Sequence, residues 1–418
     1  MARRTFLGLT GLTLSSIATT GTVSAVEETK RFIVNAKTAD KDDLEVIHRL
    51  DPVNLLVVRG SEKAVKKLDS NYAPDVTTSY SPQVDLKEQG ATDEPMYSFQ
   101  WDKQAQQIPT VHERTRGEGS CVTVIDTGVD ASHPDLNHAI NEDLSENFTP
   151  DGGDYTDVGF HGTHVAGIIA ADDRNENGIV GTAPATDLVS LRVFDRFSNA
   201  NFGDILAAIV HSAEIGADVA NLSLGAYPYS RNGFGSFYGK ALNRTMTYAN
   251  KNGTLLVVAG GNDGADLQKD KDVISLPSEG AQALCVSATG PKGFDPETGD
   301  FDEPAHTPVS YTNYGTNAID IAAPGGNLNG SLQDWVFSTI PTDFGFSSSY
   351  TYLYGTSMAA PQVAGAAALI ASMTDYSVHS QANGIERLLK QTAAIPDGYD
   401  KEYYGSGFID VLSAVDSC

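Results

Sequence analysis

The chain has 418 residues, 40% of them hydrophobic, enough for a sizeable core and two or three domains by length. Its 28 Lys and Arg against 54 Asp and Glu leave a formal net charge of -26, which argues against nucleic acid and anionic membrane surfaces as partners. The acidic residues are spread along the chain rather than gathered in a tail, so they read as a solvated shell over an ordinary core, with a high-salt habitat as the expectation. Cys121, Cys285 and Cys418 are odd in number and show no metal-ligand spacing. Cys121 and Cys285 stand in apolar runs as buried free thiols, and a disulfide involving Cys418 stays open.

The first 25 residues, MARRTFLGLTGLTLSSIATTGTVSA, carry paired Arg3 and Arg4, a short apolar segment and small residues ending at Ala25. That is the pattern of a signal peptide, and the paired arginines resemble a twin-arginine export signal. The segment is too short and too rich in Thr, Ser and Gly to span a bilayer, and no other stretch is apolar for long enough. Export of a folded protein is expected, with no stable membrane association.

Residues 30–86 form a compact pattern. RFIVNA reads as a strand, ADKDDLEVIHRL as an amphipathic helix, NLLVVRG as a strand, SEKAVKKLDSN as a helix and DVTTSYS as a last strand. So small a unit buries little surface by itself. DLKEQGATDEP, with a Gly and a Pro, then reads as an exposed linker open to proteases.

From about Gly119 strands and helices alternate. CVTVID, DLVSLRVF, VANLSL, TLLVVAG and ALCVSAT read as strands; HGTHVAGIIAA, FGDILAAIVHSAEIG, a stretch around Tyr238–Asn252 and the run after Ser357 read as helices. That alternation predicts a parallel sheet covered on both faces, with ligand sites at the carboxyl ends of its strands. Gly-rich turns follow CVTVI, VANLSL and TLLVVA, so three strands should end on one edge. TGPKGFDPETGDFDEPAHTP reads as a surface loop.

Three side chains stand out along that edge. Asp126 closes a buried strand, where a carboxylate is costly without a partner. His161 opens a helix, the end that disfavours cations. Ser357, in GTSMAAPQVAG, reads by itself as a helix N-cap, because Pro361 is tolerated only near a helix start. His164, three residues after His161, reads as a hydrogen-bonded core histidine, since H-x-x-H without a neighbouring Glu is a weak zinc signal. Together Asp126, His161 and Ser357 are what a serine nucleophile requires: a base to take its proton and a carboxylate to hold that base.

Within VIDTGVD, HGTHVAG and GTSMAAPQVAG, in that order, these segments resemble the subtilisin-like serine peptidases, whose chain order is Asp, His, Ser. The resemblance runs from about Tyr97 to Ser413 and is to secreted members of the halolysin type without a C-terminal extension. It implies an α/β fold with a subtilisin-like parallel sheet and helices on both faces over residues 97–418. Before it the resemblance implies a small α+β (ferredoxin-like) inhibitory propeptide at 30–86 and a linker at 87–96 holding the maturation cut. The implied activity is endopeptidase cleavage of protein or peptide substrates by a monomer made as a self-processing zymogen. Asn262, in VVAGGND, takes the place of the side-chain oxyanion donor, with the Ser357 backbone N–H as the second donor. Ser223, Leu224 and Gly225, with Gly260 and Gly261, line the substrate cleft, and Asp263 reads as a solvated loop residue near it. Asp135, in HPDL, and Asp172, Asn175, Asn177 and the Ile179 carbonyl, in ADDRNENGIVG, take the places of ligands to a structural calcium. Read without the resemblance, DDRNEN is a polar turn. A secreted esterase with the same triad, a peptide-binding protein on the same fold and an acidic, calcium-binding structural protein are the alternatives, the last opposed by the ordered strand–helix alternation.

Overall fold

The strands of the larger unit are apolar on both sides because each side meets a different helical layer. A computed structural model describes residues 30–35, 44–68, 71–79, 96–269, 272–345 and 348–418; the signal-peptide segment and residues 87–95 of the linker lie outside them. In chain order the N-terminal unit contains β1 (Lys30–Val34), β2 (Leu44–Leu50), β3 (Leu55–Gly60), α1 (Glu62–Leu68), β4 (Tyr72–Pro74) and β5 (Thr77–Ser79). The larger unit continues with α2 (Trp101–Ala105), α3 (Ile108–Val111), β6 (Cys121–Asp126), β7 (Glu146–Asn147), α4 (His161–Ala170), β8 (Asp187–Arg192), β9 (Asn199–Asn201), α5 (Phe202–Glu214), β10 (Val219–Leu222) and β11 (Ala226–Ser230). There follow α6 (Gly235–Lys251), β12 (Leu255–Ala259), β13 (Val273–Leu276), β14 (Ala283–Thr289), β15 (Ile321–Pro324), β16 (Val336–Thr339), β17 (Tyr350–Leu353), α7 (Thr356–Met373), α8 (Val378–Thr392), α9 (Lys401–Tyr404) and α10 (Val411–Asp416).

Seven strands form the central sheet in the order β15-β14-β12-β10-β6-β8-β7, every neighbouring pair parallel. Side chains alternate across it, as a period of two requires. Val122, Val124, Val219, Leu255 and Val257 face α4 and α7, while Ile125, Ala220, Leu222, Leu256 and Val258 face α5 and α6. The expected subtilisin-like sheet with helices on both faces is therefore present.

The N-terminal unit differs from its expected β-α-β-α-β pattern. Its sheet runs β2-β3-β1-β4, all antiparallel, and the segment read as a helix over 39–50 is a strand from Leu44 to Leu50, residues 36–43 lying outside the description. One sheet face packs Phe32, Val34, Leu56 and Val58 on Val65 of α1; the other sets Ile33, Leu55 and Val57 into the α5–α6 layer of the larger unit. The stretch read as a last strand, DVTTSYS, pairs outside its own unit: Thr77–Ser79 runs antiparallel to Asn199–Asn201. Charges complete the junction. Arg31 bonds Asp75 (Nε–Oδ2, 2.9 Å) and Asp204 of α5 (Nη2–Oδ1, 2.6 Å), His48 lies 2.8 Å from Asp204, and Asp75 Oδ1 accepts from Gly203 N in the first turn of α5.

Candidate active site

Strand β6 ends at Asp126, fully buried, and Asp126 Oδ1 accepts hydrogen bonds from His161 Nδ1 and from its neighbour Thr127 N, both at 2.7 Å. His161 is the first residue of α4, and a close approach brings it there: a Cβ on Gly162 would stand 2.1 Å from the Gly128 carbonyl oxygen. With Nδ1–H directed at the carboxylate, Nε2 is the ring nitrogen left with the lone pair. His164, on the same helix, is a buried core histidine as expected. Its Nε2 lies 3.2 Å from the Thr351 carbonyl oxygen, and burial lowers its pKa to about 3, which keeps it neutral.

Helix α7 packs against α4 and begins at Thr356, so Ser357 lies in its first turn, half-buried. Pro361 sits further inside α7 than the first turn. Having no N–H, it cannot serve the carbonyl four residues before it, which is that of Ser357. Ser223 Oγ donates there instead, at 2.8 Å, and Ser357 Oγ donates to the Ser223 carbonyl oxygen at 3.1 Å.

Asn262 completes the cluster. Its Oδ1 accepts from Thr356 N (2.8 Å) and Thr356 Oγ1 (2.9 Å), which fixes the amide with Nδ2 outward. Gly355, at φ 150°, caps α7 without a side chain. The position its Cβ would take lies 3.2 Å from Asn262 Nδ2 and 3.6 Å from Ser357 N, so two donors face one small space. The N–H of Ser357 belongs to a first helical turn and has no intrahelical acceptor. Gly260 is anchored through its N–H to Val286 O at 2.9 Å, Gly261 adopts φ 103°, and Leu224 is buried while Gly225 is exposed at the rim.

Several contributors were not singled out from the sequence. Asn313, buried, holds the 260–265 loop by donating to Gly260 O at 3.0 Å and accepting from Asp263 N and Ala265 N. Thr356 orients Asn262, Asn221 Nδ2 donates to Ser223 Oγ at 2.9 Å, and Asp157 accepts bonds around the start of α4. Asp263 is exposed, as read from the sequence.

The calcium residues are only partly gathered. Asp135 Oδ1 accepts from Asn175 Nδ2 at 2.7 Å, and its Oδ2 accepts from Ile179 N and Tyr350 OH, both at 3.0 Å. Burial raises the pKa of Asp135, an energetic reason for a cation beside it. Asn175 Oδ1 in turn accepts from Asn177 N at 2.9 Å, so Asp135, Asn175 and the segment at Ile179 form one hydrogen-bonded group of the oxygen-bearing kind a hard cation uses. Asp172 and Asn177 meet the group through their backbones: Asp172 N donates to Asp135 O at 2.9 Å while its carboxylate accepts from Arg174 N, and Asn177 N donates to Asn175 Oδ1. The three cysteines are free, and no described helix is long and apolar enough to cross a membrane.

A parallel α/β sheet carrying an Asp–His pair at one strand end, with a Ser in the first turn of a helix packed on the one that bears the His, is an architecture fit for a serine hydrolase. The profile of the subtilase family, peptidase S8, matches residues 117–407. The thermophilic serine proteinase of Bacillus sp. (strain AK1) is 31% identical over 396 residues, covering 94% of this chain and 84% of that protein. Halolysin of Haloferax mediterranei is also 31% identical, over 99% of this chain and 76% of its own length. Among solved structures, the epidermin leader peptide processing serine protease of Staphylococcus aureus shares the fold with a TM-score of 0.76 at 23% identity, over 93% of this chain and 98% of that one. The chain belongs to the subtilase family and is a serine-type endopeptidase.

Proposed function

We propose that this endopeptidase works through Asp126, His161 and Ser357, and that it is exported and made as a self-processing zymogen. The observation carrying the assignment is the 2.7 Å Asp126–His161 pair, at the start of a helix packed against the helix whose first turn carries Ser357. On this reading His161 Nε2 takes the Ser357 proton as Oγ bonds the peptide carbonyl carbon. Asp126 holds the imidazole tautomer and stabilises the imidazolium. The carbonyl oxygen, now an oxyanion, sits between Asn262 Nδ2 and Ser357 N. The imidazolium gives its proton to the leaving amine, and the same imidazole then activates the water that hydrolyses the acyl-enzyme. Substrate backbone adds as a strand along Ser223–Gly225, with Gly260 and Gly261 opposite.

The N-terminal unit acts as the inhibitory propeptide in cis, with the cut within residues 87–96. Supporting this are its docking on α5 and α6 and the polar, Gly- and Pro-bearing stretch that follows it. A parallel sheet is dominated by non-local contacts and nucleates slowly, which a template would help. The enzyme acts as a monomer. Export rests on the N-terminal pattern, and a high-salt habitat on the net charge of -26. A structural calcium would be held by Asp135, with Asn175 and the loop at Ile179, and would supply charge neutralisation to that loop. Chelation should lower the melting temperature, restored by calcium; a melting temperature indifferent to both removes calcium from the proposal.

A fluorophosphonate probe tests the main assignment. Labelling of the wild type but not of Ser357→Ala is expected, with the Ser357→Ala precursor accumulating uncut. An unlabelled, folded wild type would refute it.

A further inference from the structure

We propose that Asp157 is a positioning residue of this site, locking the strand end that carries Asp126 to the helix start that carries His161. This rests on the triad reading above. Asp157 is buried, four residues before His161, and its carboxylate is fully occupied by donors. Oδ1 accepts from Thr127 Oγ1 (2.7 Å) and Gly159 N (2.8 Å); Oδ2 accepts from Thr163 Oγ1 (2.6 Å) and Thr163 N (2.8 Å).

Those four bonds reach both halves of the catalytic pair. Thr127 directly follows Asp126 and donates its N–H to Asp126 Oδ1, while its hydroxyl oxygen accepts from Gly162 N at 2.9 Å. Gly162 and Thr163 directly follow His161 in α4. The result is a closed ring running from Asp126 through Thr127, Asp157 and the first turn of α4 to His161 and back. Slack in any link would turn the imidazole relative to its carboxylate.

The ring also replaces a missing cap. Phe160, the residue before α4, has φ 56° and offers no capping side chain. The amides of Gly162 and Thr163, orphans of a helix start, are served instead by Thr127 and Asp157. An ionised carboxylate is the form that accepts four donors at once, and the positive end of the helix favours it. Burial pushes the Asp157 pKa up and the four bonds oppose that.

The test compares wild type with Asp157→Asn, per titrated active site, on a peptide substrate. Asparagine keeps the shape but loses the charge and presents an N–H to a donor. The expected result is a fall in kcat of about 10- to 100-fold with KM within about twofold. Unchanged kcat per site, with only the melting temperature lowered, would make Asp157 purely structural and overturn the proposal. If Asp157→Asn yields no folded enzyme, Thr163→Val, which removes one of the four donors, should lower kcat in the same sense by a smaller factor, and an unaltered kcat there overturns it equally. Failure of the wild type to label with a fluorophosphonate would instead sink the triad reading first, and this proposal with it.

Discussion

Ser223 and Ser357 are bonded to each other in both directions, each hydroxyl donating to the other residue's carbonyl oxygen, at 2.8 and 3.1 Å. The first bond meets a need created by Pro361, which has no N–H for the Ser357 carbonyl. The second holds the proton of Ser357 on the segment where an extended substrate would add.

Ser223→Ala keeps that carbonyl but strips the donor from the Ser357 carbonyl. One such bond contributes about 0.5–1.5 kcal/mol, and a tenfold rate change is about 1.4 kcal/mol. We therefore expect kcat to fall by about 2- to 10-fold, measured per active site with a chromogenic peptide. A variant indistinguishable from wild type would show that the helix start holds Ser357 without help.

Asn262→Ala removes the outward-facing Nδ2. Loss of one oxyanion donor costs about 2.7–4 kcal/mol, or about 10²–10³ in kcat, a magnitude taken from subtilisin, which belongs to this same family. KM should change little, because the oxyanion exists only after attack. Asn313→Ala, which unties the loop bearing Asn262 without touching the reacting atoms, should reproduce part of that loss. If Asn262→Ala raised KM and spared kcat, its amide would be a ground-state contact.

The legible parts of the fold were those where burial writes itself into the chain. CVTVID and ALCVSAT are buried on both faces and become Cys121–Asp126 and Ala283–Thr289, the bounds read from sequence. LEVIHRL misled for a physical reason. It is an edge strand, mostly half-buried, and its pairing with β3 slips between Val46 and His48, which destroys the period of two and leaves Leu44, Ile47 and Leu50 at helix-like spacing. Thr77–Ser79 pairs with a segment more than a hundred residues away, and no local pattern announces that. At the site, Asp126, His161, Asn262 and Ser357 were readable from their motifs, and the structure pairs Asp126 with His161 and sets Asn262 against the residue before Ser357. Asp157 gave a weak signal, an Asp shortly before a helix, masked because the left-handed Phe160 separates it from the helix start. Asn313 gave none, since its work depends on a loop fifty residues away.

Removing Arg31 should loosen the N-terminal unit selectively. Arg31 is the cation between Asp75 and Asp204, whose side chains are both fully buried. Truncating one member of a buried, bonded charge group costs about 2–5 kcal/mol, mostly because the remaining charges stay buried without their partner. Arg31→Met in the Ser357→Ala precursor should therefore speed amide hydrogen exchange in β1, β3 and β9 while α4 and α7 keep their protection. Equal exchange in both proteins would mean that the apolar contacts of Ile33, Leu55 and Val57 hold the junction alone.

Lys103 makes the last case, and pH separates its two roles. It lies fully buried on α2, and its Nζ donates to Ile168 O (2.9 Å) at the end of α4, to Thr182 Oγ1 (2.8 Å) and to Gln362 Oε1 (2.6 Å) of α7, with Asp102 Oδ2 at 3.4 Å. Lys103→Met leaves the buried Asp102 without its cation, a loss of about 3–5 kcal/mol, visible as a lower urea midpoint. Asp102→Asn combined with Lys103→Met should recover part of it, since no charge is then stranded. Burial lowers the Lys103 pKa from 10.5 to about 8, against the pull of Asp102. Between those values the unfolded chain holds a proton that the folded chain has released, so the contribution of Lys103 to stability increases as pH rises from about 8 to 10.5. The stability gap between wild type and Lys103→Met should accordingly widen across that window. A gap that stays constant from pH 7 to 10.5 would mean that Lys103 keeps its ordinary pKa, and that its three acceptors and Asp102 outweigh its desolvation.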